Sequence, residues 1–180
     1  MIHLVRHGEA AMQWGAHPDP GLSPEGRNQA RATAEILLSA GPIQHCFTSP
    51  MQRCQETAKA FTDRSGLTIH IADQITEIPT PLDISDRRSW LQTVMAGTWD
   101  GTPTLVQDWH KTLLNFVTRA PDNSVLFTHY IAINAIVGTL DKNPAVLTFS
   151  PGHASITTLR RCDDRLVALL GEDGDAGIIL

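Results

Sequence analysis

The sequence predicts an α/β fold, a three-layer α/β/α sandwich with a largely parallel central sheet, and three observations carry that expectation. Short apolar and β-branched runs alternate with helix-periodic segments, the pattern of strands joined by crossover helices. Two of those runs, Ile2 to Val5 and Ser124 to Thr128, are followed closely by a histidine where the strand gives way to a turn or helix. Ser23-Pro24 and Ser49-Pro50 repeat one helix-starting device, a capping hydroxyl before a proline. With 180 residues, 42% of them hydrophobic, the chain can bury one substantial core and is short for two, so a single domain over 1–180 is expected.

Taken in order, Ile2-His3-Leu4-Val5 reads as a buried strand stopping at Arg6-His7-Gly8-Glu9, where Gly8 lets the chain turn beside a ligand without an intervening Cβ. After a Gly/Pro-rich stretch from Gly15 to Gly21, Ser23 is the expected N-cap of a helix beginning at Pro24. Its alanines, Ile36 and Leu37 sustain the helix to Leu38, and Gly41-Pro42 breaks it. A strand is expected at Gln44 to Thr48, then a helix from Pro50 to about Ser65, with Arg53 in its first turn and Gly66 as its stop. Thr68 to Ala72 reads as a short strand leading to Glu77.

Between Pro79 and Gly101, Trp90, Leu91, Val94 and Met95 suit one face of a helix. Another helix runs from Pro103 to about Val117, with Leu105, Trp109, Leu113 and Phe116 expected in the core. The strand Ser124 to Thr128 ends at His129, and Ile131 to Leu140 returns to a helical pattern. Val146 to Phe149, Ser155 to Leu159 and Leu166 to Leu170 read as further strands, followed by an acidic, Gly-rich segment over 171–180 expected to be a flexible tail.

Composition removes several function classes. Fourteen basic against nineteen acidic side chains leave a net charge of −5, and no Lys/Arg block could track a nucleic-acid backbone, so no nucleic-acid partner is expected. No apolar run is long enough to span a bilayer, and Arg6 interrupts the first apolar stretch before a signal-peptide core could form, so no membrane partner and a cytoplasmic location are expected. Cys46, Cys54 and Cys162 are odd in number and lack paired spacing, which argues against a disulfide framework or a zinc knuckle. No cofactor and no metal site are expected. The sequence leaves the oligomeric state open.

An acidic protein that handles an anion needs a local concentration of cations. Arg6, Arg53, His7 and His129 meet that need if the two strand ends converge, because guanidinium forks and a helix's first turn complement phosphoryl oxygens. Arg6-His7-Gly8-Glu9, Leu22 to Ala30 (LSPEGRNQA), Ser49 to Ala58 (SPMQRCQETA) and Thr128-His129 together resemble the histidine phosphatase, or phosphoglycerate-mutase-like, superfamily, in order from Ile2 to about Leu159. The resemblance implies a metal-independent phosphatase that hydrolyses a small phosphorylated metabolite through a phosphohistidine. It implies His7 as nucleophile, Arg6, Arg53 and His129 as phosphate-binding groups, and Glu77 as the acid/base carboxylate, with Asp83, Asp86 and Glu9 as alternatives for that last role. Gln13 is a possible additional phosphate contact. The resemblance places His153 and Ser155 where the family often has a loop near the pocket, and they are expected to be surface or strand-edge residues.

Departures from the family pattern bear on the substrate. Ala10 stands where Ser or Thr is frequent and Gln13 where Asn is usual; Tyr130 puts a bulky ring after His129 in place of Gly, and Ile78-Pro79 follows Glu77 without a Gly-containing continuation. Two other functions remain open at this point, a phosphohistidine protein phosphatase and a non-catalytic phospho-ligand binding module on the same fold. Whether the Pro79 to Gly101 segment covers the pocket separates the first of these from a metabolite phosphatase.

Overall fold

The computed structural model describes residues 1–12, 18–81, 86–163 and 165–170. Six strands, β1 (Ile2–Arg6), β2 (His45–Thr48), β3 (Ile69–Ile71), β4 (Ser124–Thr128), β5 (Ile156–Cys162) and β6 (Arg165–Leu169), form one sheet in the order β3-β2-β4-β1-β5-β6. The first four in that order are parallel, β5 runs antiparallel to β1, and β6 runs antiparallel to β5. The helices are α1 (Pro24–Ser39), α2 (Gln52–Ser65), α3 (Arg87–Met95), α4 (Thr104–Arg119) and α5 (Tyr130–Leu140).

Strand alternation sends successive side chains to opposite faces, and each face has its own helical cover. Val5, Cys46, Val125, Phe127 and Ile156 pack with Ala34, Leu37, Ala58 and Phe61 from α1 and α2. Ile2, Leu4, Leu126 and Leu159 pack on the other side with Leu91, Leu113, Val117 and Ile133 from α3, α4 and α5. The result is the expected three-layer sandwich with a mostly parallel sheet. Every residue of α5 from Ile131 to Gly138 is buried, which accounts for its nearly uninterrupted apolar sequence.

Local signals set the element ends in several places. Ser23 caps α1 as expected, its hydroxyl accepting from the Gly26 N–H at 2.9 Å with Pro24 in the first turn. Gly66 ends α2 in the left-handed region at φ 74°. Ser49, by contrast, is not a cap: α2 starts at Gln52 behind Met51 with no side-chain cap, because the Ser49 hydroxyl lies 2.8 Å from the His129 ring. Leu105 is 48% exposed, and the buried stripe of α4 runs instead through Val106, Leu113 and Val117. Val146 to Phe149 is no strand. The N–H groups of Thr148 and Phe149 donate to Oδ1 of the buried Asn134 on α5, at 2.8 and 3.1 Å, so a side chain replaces the ladder partner.

No helix among the described residues is long and apolar enough to cross a membrane. The expected tail over 171–180 lies outside the described residues.

Candidate active site

Parallel pairing of β1 with β4 aligns Arg6 with Thr128, so His7 and His129 emerge side by side at the carboxyl edge of the sheet, their ring centroids 5.2 Å apart and inclined at 66°. The His7 N–H adds one more bond to the ladder, to the Thr128 carbonyl at 3.0 Å. Beyond His7 the backbone presses against the start of α1. A Cβ on Gly8 would stand 2.5 Å from the Gly26 carbonyl oxygen, and one on Gly26 would stand 2.0 Å from that of Glu9. Only glycine at both positions allows this approach.

The bonds around His7 define its tautomer. Nδ1 lies 2.7 Å from the Gly8 carbonyl, which can only accept, so Nδ1 carries the proton. Nε2 is then a lone pair, and it accepts from Arg53 Nε at 3.1 Å. Burial, reinforced by the Arg53 charge, holds the His7 pKa down to about 3, which keeps the imidazole neutral at physiological pH. Arg53 also reaches His129, its Nη2 lying 3.2 Å from Nδ1. Since guanidinium only donates, His129 Nδ1 accepts and its Nε2–H donates to Ser49 Oγ at 2.8 Å. Burial and then the neighbouring His7 push the His129 pKa well below its ordinary value.

Arg6 is held by the Pro151 carbonyl at 2.8 Å and by His153 Nε2 at 2.9 Å, with its guanidinium 4.9 Å from the centre of the Tyr130 ring. Its buried Nε has no hydrogen-bond partner. Glu77, in the segment that follows β3, faces Arg6 and Arg53. Its Oε1 accepts from the Ile78 N–H at 3.1 Å and its Oε2 from the Ile131 N–H in the first turn of α5 at 3.4 Å. Desolvation nevertheless raises its pKa, against the pull of those two donors and of Arg53 and Arg6. That segment is fastened from behind by Thr128 Oγ1 to the Ile75 carbonyl, 2.7 Å, and by Trp109 Nε1 to the Thr76 carbonyl, 3.2 Å.

Arg6, His7, Arg53 and Glu77 share the wall of a cavity of about 540 Å³. A second cavity of about 330 Å³ adjoins it, sharing Arg53 and Glu77 and adding Arg87 and Thr80. His129 is fully buried and stands one layer behind the cavity wall, meeting it through His7 and Arg53. Gln13 and Asp83 lie outside the described residues. Asp86 caps α3 through Ser89, and Glu9 lines the cavity while accepting from the Ser23 hydroxyl at 2.6 Å. The segment after Glu77 sends Met95, at the end of α3, to the cavity wall. Among the described residues no group of three or more His, Cys, Asp or Glu could hold a metal ion.

Three neighbours of the site take parts that the sequence does not assign them. His153 is exposed as expected, but it also meets Arg6 and lines the cavity, its ring 6.3 Å from that of His7. Asp19 lies 3.8 Å from Arg53 Nη1 and also accepts from the Gln52 N–H at the start of α2. Ser49 holds His129. Asp19 comes from an aperiodic Gly/Pro stretch, and nothing in the sequence marks it. For Ser49 the cap signal pointed elsewhere, and the hydroxyl's true partner is eighty residues away in the chain.

Residues 2–82 match the model of the histidine phosphatase superfamily (branch 1). Among curated proteins, it is 27% identical to a Yersinia pestis protein named "Probable phosphoglycerate mutase GpmB" over 80% of this chain and 76% of that protein. It is 36% identical to a protein of the same name from Yersinia enterocolitica, over 43% of this chain and 37% of the relative, and to a PE-PGRS family protein of Mycobacterium tuberculosis, over 43% of this chain and 14% of the relative. Against those two relatives the chain therefore covers well under half of their length.

Solved structures share the fold. A mycobacterial glucosyl-3-phosphoglycerate phosphatase superposes with TM-score 0.71 at 23% identity, covering 93% of this chain and 96% of that one. The Entamoeba histolytica phosphoserine phosphatase gives 0.74 at 21%, covering 93% of each. The Shigella flexneri alpha-ribazole phosphatase gives 0.74 at 16%, covering 98% of each.

Proposed function

We propose that this protein is a metal-independent phosphomonoesterase that hydrolyses a small phosphorylated metabolite through a phosphohistidine on His7. The observation that carries the reading is the His7 imidazole itself: neutral, its Nδ1–H committed to the Gly8 carbonyl, its Nε2 lone pair on the wall of a cavity shared with Arg6, Arg53 and Glu77. Phosphatase and mutase names among the relatives and structural neighbours support the same class.

Before substrate arrives, the Nε–H of Arg53 rests on the nucleophile's lone pair. A phosphate dianion offers that guanidinium stronger, charge-assisted acceptors, so binding draws Arg53 onto the phosphoryl oxygens and uncovers Nε2. The unpartnered Nε of Arg6 gains an acceptor in the same event. His129 holds Arg53 from behind. Nε2 then forms a bond to phosphorus as the bond to the ester oxygen breaks, and the Gly8 carbonyl steadies the ring through Nδ1–H. Glu77, favoured in its protonated form by burial, gives its proton to the departing oxygen. In the second half, water attacks phosphorus, passes a proton to the Glu77 carboxylate and releases phosphate, leaving His7 neutral again.

Hydrolysis of 4-nitrophenyl phosphate, with rapid acid-free quenching to trap an alkali-stable, acid-labile phosphoenzyme, tests this. His7→Ala is expected to lose turnover and labelling together. Undiminished turnover in that variant refutes the nucleophile. Ligand binding without turnover in the parent protein would favour a non-catalytic module, and turnover on a phosphohistidine protein but on no small ester would favour the protein-phosphatase reading.

A further inference from the structure

We propose that the alcohol released by this protein is uncharged and largely apolar, and that a second anionic group on the substrate is selected against. The inference rests on the phosphomonoesterase reading and concerns the same cavity. Its volume of about 540 Å³ lies in the range of pockets that enclose a whole small ligand, more than a phosphoryl group alone requires. Both cationic side chains on its wall, Arg6 and Arg53, belong to the phosphoryl end. Ala10, Ala11, Met12, Met95, Tyr130 and Ile131 make up most of the remainder, and the other charged lining residues, Glu9 and Glu77, are carboxylates. A carboxylate or second phosphate on the leaving group would lose hydration against methyl, thioether and aromatic surface, close to Glu9.

The two methionines extend the argument. Unbranched thioethers adapt to different shapes, so Met12 and Met95 suit a family of apolar alcohols better than one rigid ring. The Tyr130 ring is already overlaid by the Arg6 guanidinium, and its hydroxyl turns toward the Phe149 carbonyl at 3.5 Å and Ser150 Oγ at 3.4 Å. It presents the cavity with ring surface. The cation nearest to contradicting this is Arg87, which lines the adjoining cavity and whose charge interacts with Glu77. It supplies the rival outcome of the test.

The experiment uses the full chain and two sets of synthetic esters with chemically equivalent leaving oxygens, n-alkyl monophosphates from ethyl to hexyl and ω-carboxyalkyl monophosphates of matched length. The intrinsic chemistry being alike, kcat/KM reports how the rest of the alcohol is received. It is expected to rise about two- to fourfold per methylene through butyl. Each carboxylated ester should fall at least tenfold below its uncharged counterpart, with the gap narrowing as salt is added. A flat alkyl series, or a carboxylated ester turned over as well as its partner, overturns the proposal. If such a carboxylate preference disappears in Arg87→Gln, the adjoining cavity is the anion subsite. Lack of turnover on every ester would sink the phosphatase reading and this inference with it, whereas turnover without the two trends sinks this inference alone.

Discussion

Ser49→Ala isolates the support behind the proposed catalytic residues. The serine hydroxyl accepts the His129 Nε2–H at 2.8 Å and the Met51 N–H at 3.3 Å, in a place where His129 has 0% exposure and bulk water cannot step in. A buried donor stripped of its acceptor costs about 1–3 kcal/mol. The Cys54 sulfur, 3.4 Å from the same nitrogen, remains as a weak acceptor, which puts the expected loss at the lower end, about 1–2 kcal/mol. Urea unfolding should show it as a midpoint lowered by roughly 0.5 M, with unchanged slope.

The same hydroxyl selects the ring's tautomer. Without it, a proton on Nδ1 would confront the Arg53 Nη2 donor 3.2 Å away, and the guanidinium would lose an anchor worth roughly 0.5–1.5 kcal/mol. Quench-flow measurement of the proposed phosphoenzyme's formation should therefore show a slowing of roughly two- to tenfold. A Ser49→Ala protein that unfolds at the parent's urea concentration and labels at the parent's rate would refute the idea that a hydroxyl-fixed His129 steadies Arg53.

Other consequences can be checked separately. Glu77→Gln should slow alkyl phosphates far more than 4-nitrophenyl phosphate, and Trp109→Phe, which keeps an aromatic ring but removes the 3.2 Å bond to the Thr76 carbonyl, should show the same leaving-group pattern at roughly two- to tenfold; equal slowing of both ester types would separate Trp109 from the acid. The parent's turnover of alkyl phosphates should fall as pH rises through the raised Glu77 pKa, while 4-nitrophenyl phosphate is less affected. Gly26→Ala should destabilise the fold by about 1–3 kcal/mol or more in denaturant titration, since its Cβ would sit 2.0 Å from a backbone oxygen, outweighing any gain in helix propensity. With its pKa held near 3 against about 6.5 in the unfolded chain, His7 leaves the folded state with fewer bound protons between those values, so stability should drop on acidification from pH 6.5, by roughly 2 kcal/mol at pH 5 from this residue. A His7→Gln variant should show a correspondingly shallower acid loss.

Local interactions explain what is legible in the sequence. A proline after a serine, a glycine at a helix end and alternating apolar residues act over a few positions, so the Ser23 cap, the Gly66 stop, and strands β1 and β4 could be read directly. Readings failed where a distant group competed for the same atoms. Ser49 has a cap's chemistry, but its oxygen serves a histidine from another strand. Val146 to Phe149 has a strand's composition, but Asn134 takes its N–H groups. Leu105 fits a helical stripe in number, and a rotation of that stripe by one residue leaves it in solvent.

By itself the sequence determined the layered α/β architecture, the two histidines at strand ends, and Arg6 and Arg53 as the cations to watch, while Glu77 came from the family resemblance. Tertiary structure alone decided how they meet. Parallel register between β1 and β4 sets the two imidazoles 5.2 Å apart, Arg53 reaches both, and His129 lies behind the cavity where its contact with solvent is lost. The shifts that make His7 a neutral lone pair and Glu77 a reluctant anion arise from desolvation by the assembled core and from charges brought close in space, and neither quantity exists until the chain has folded.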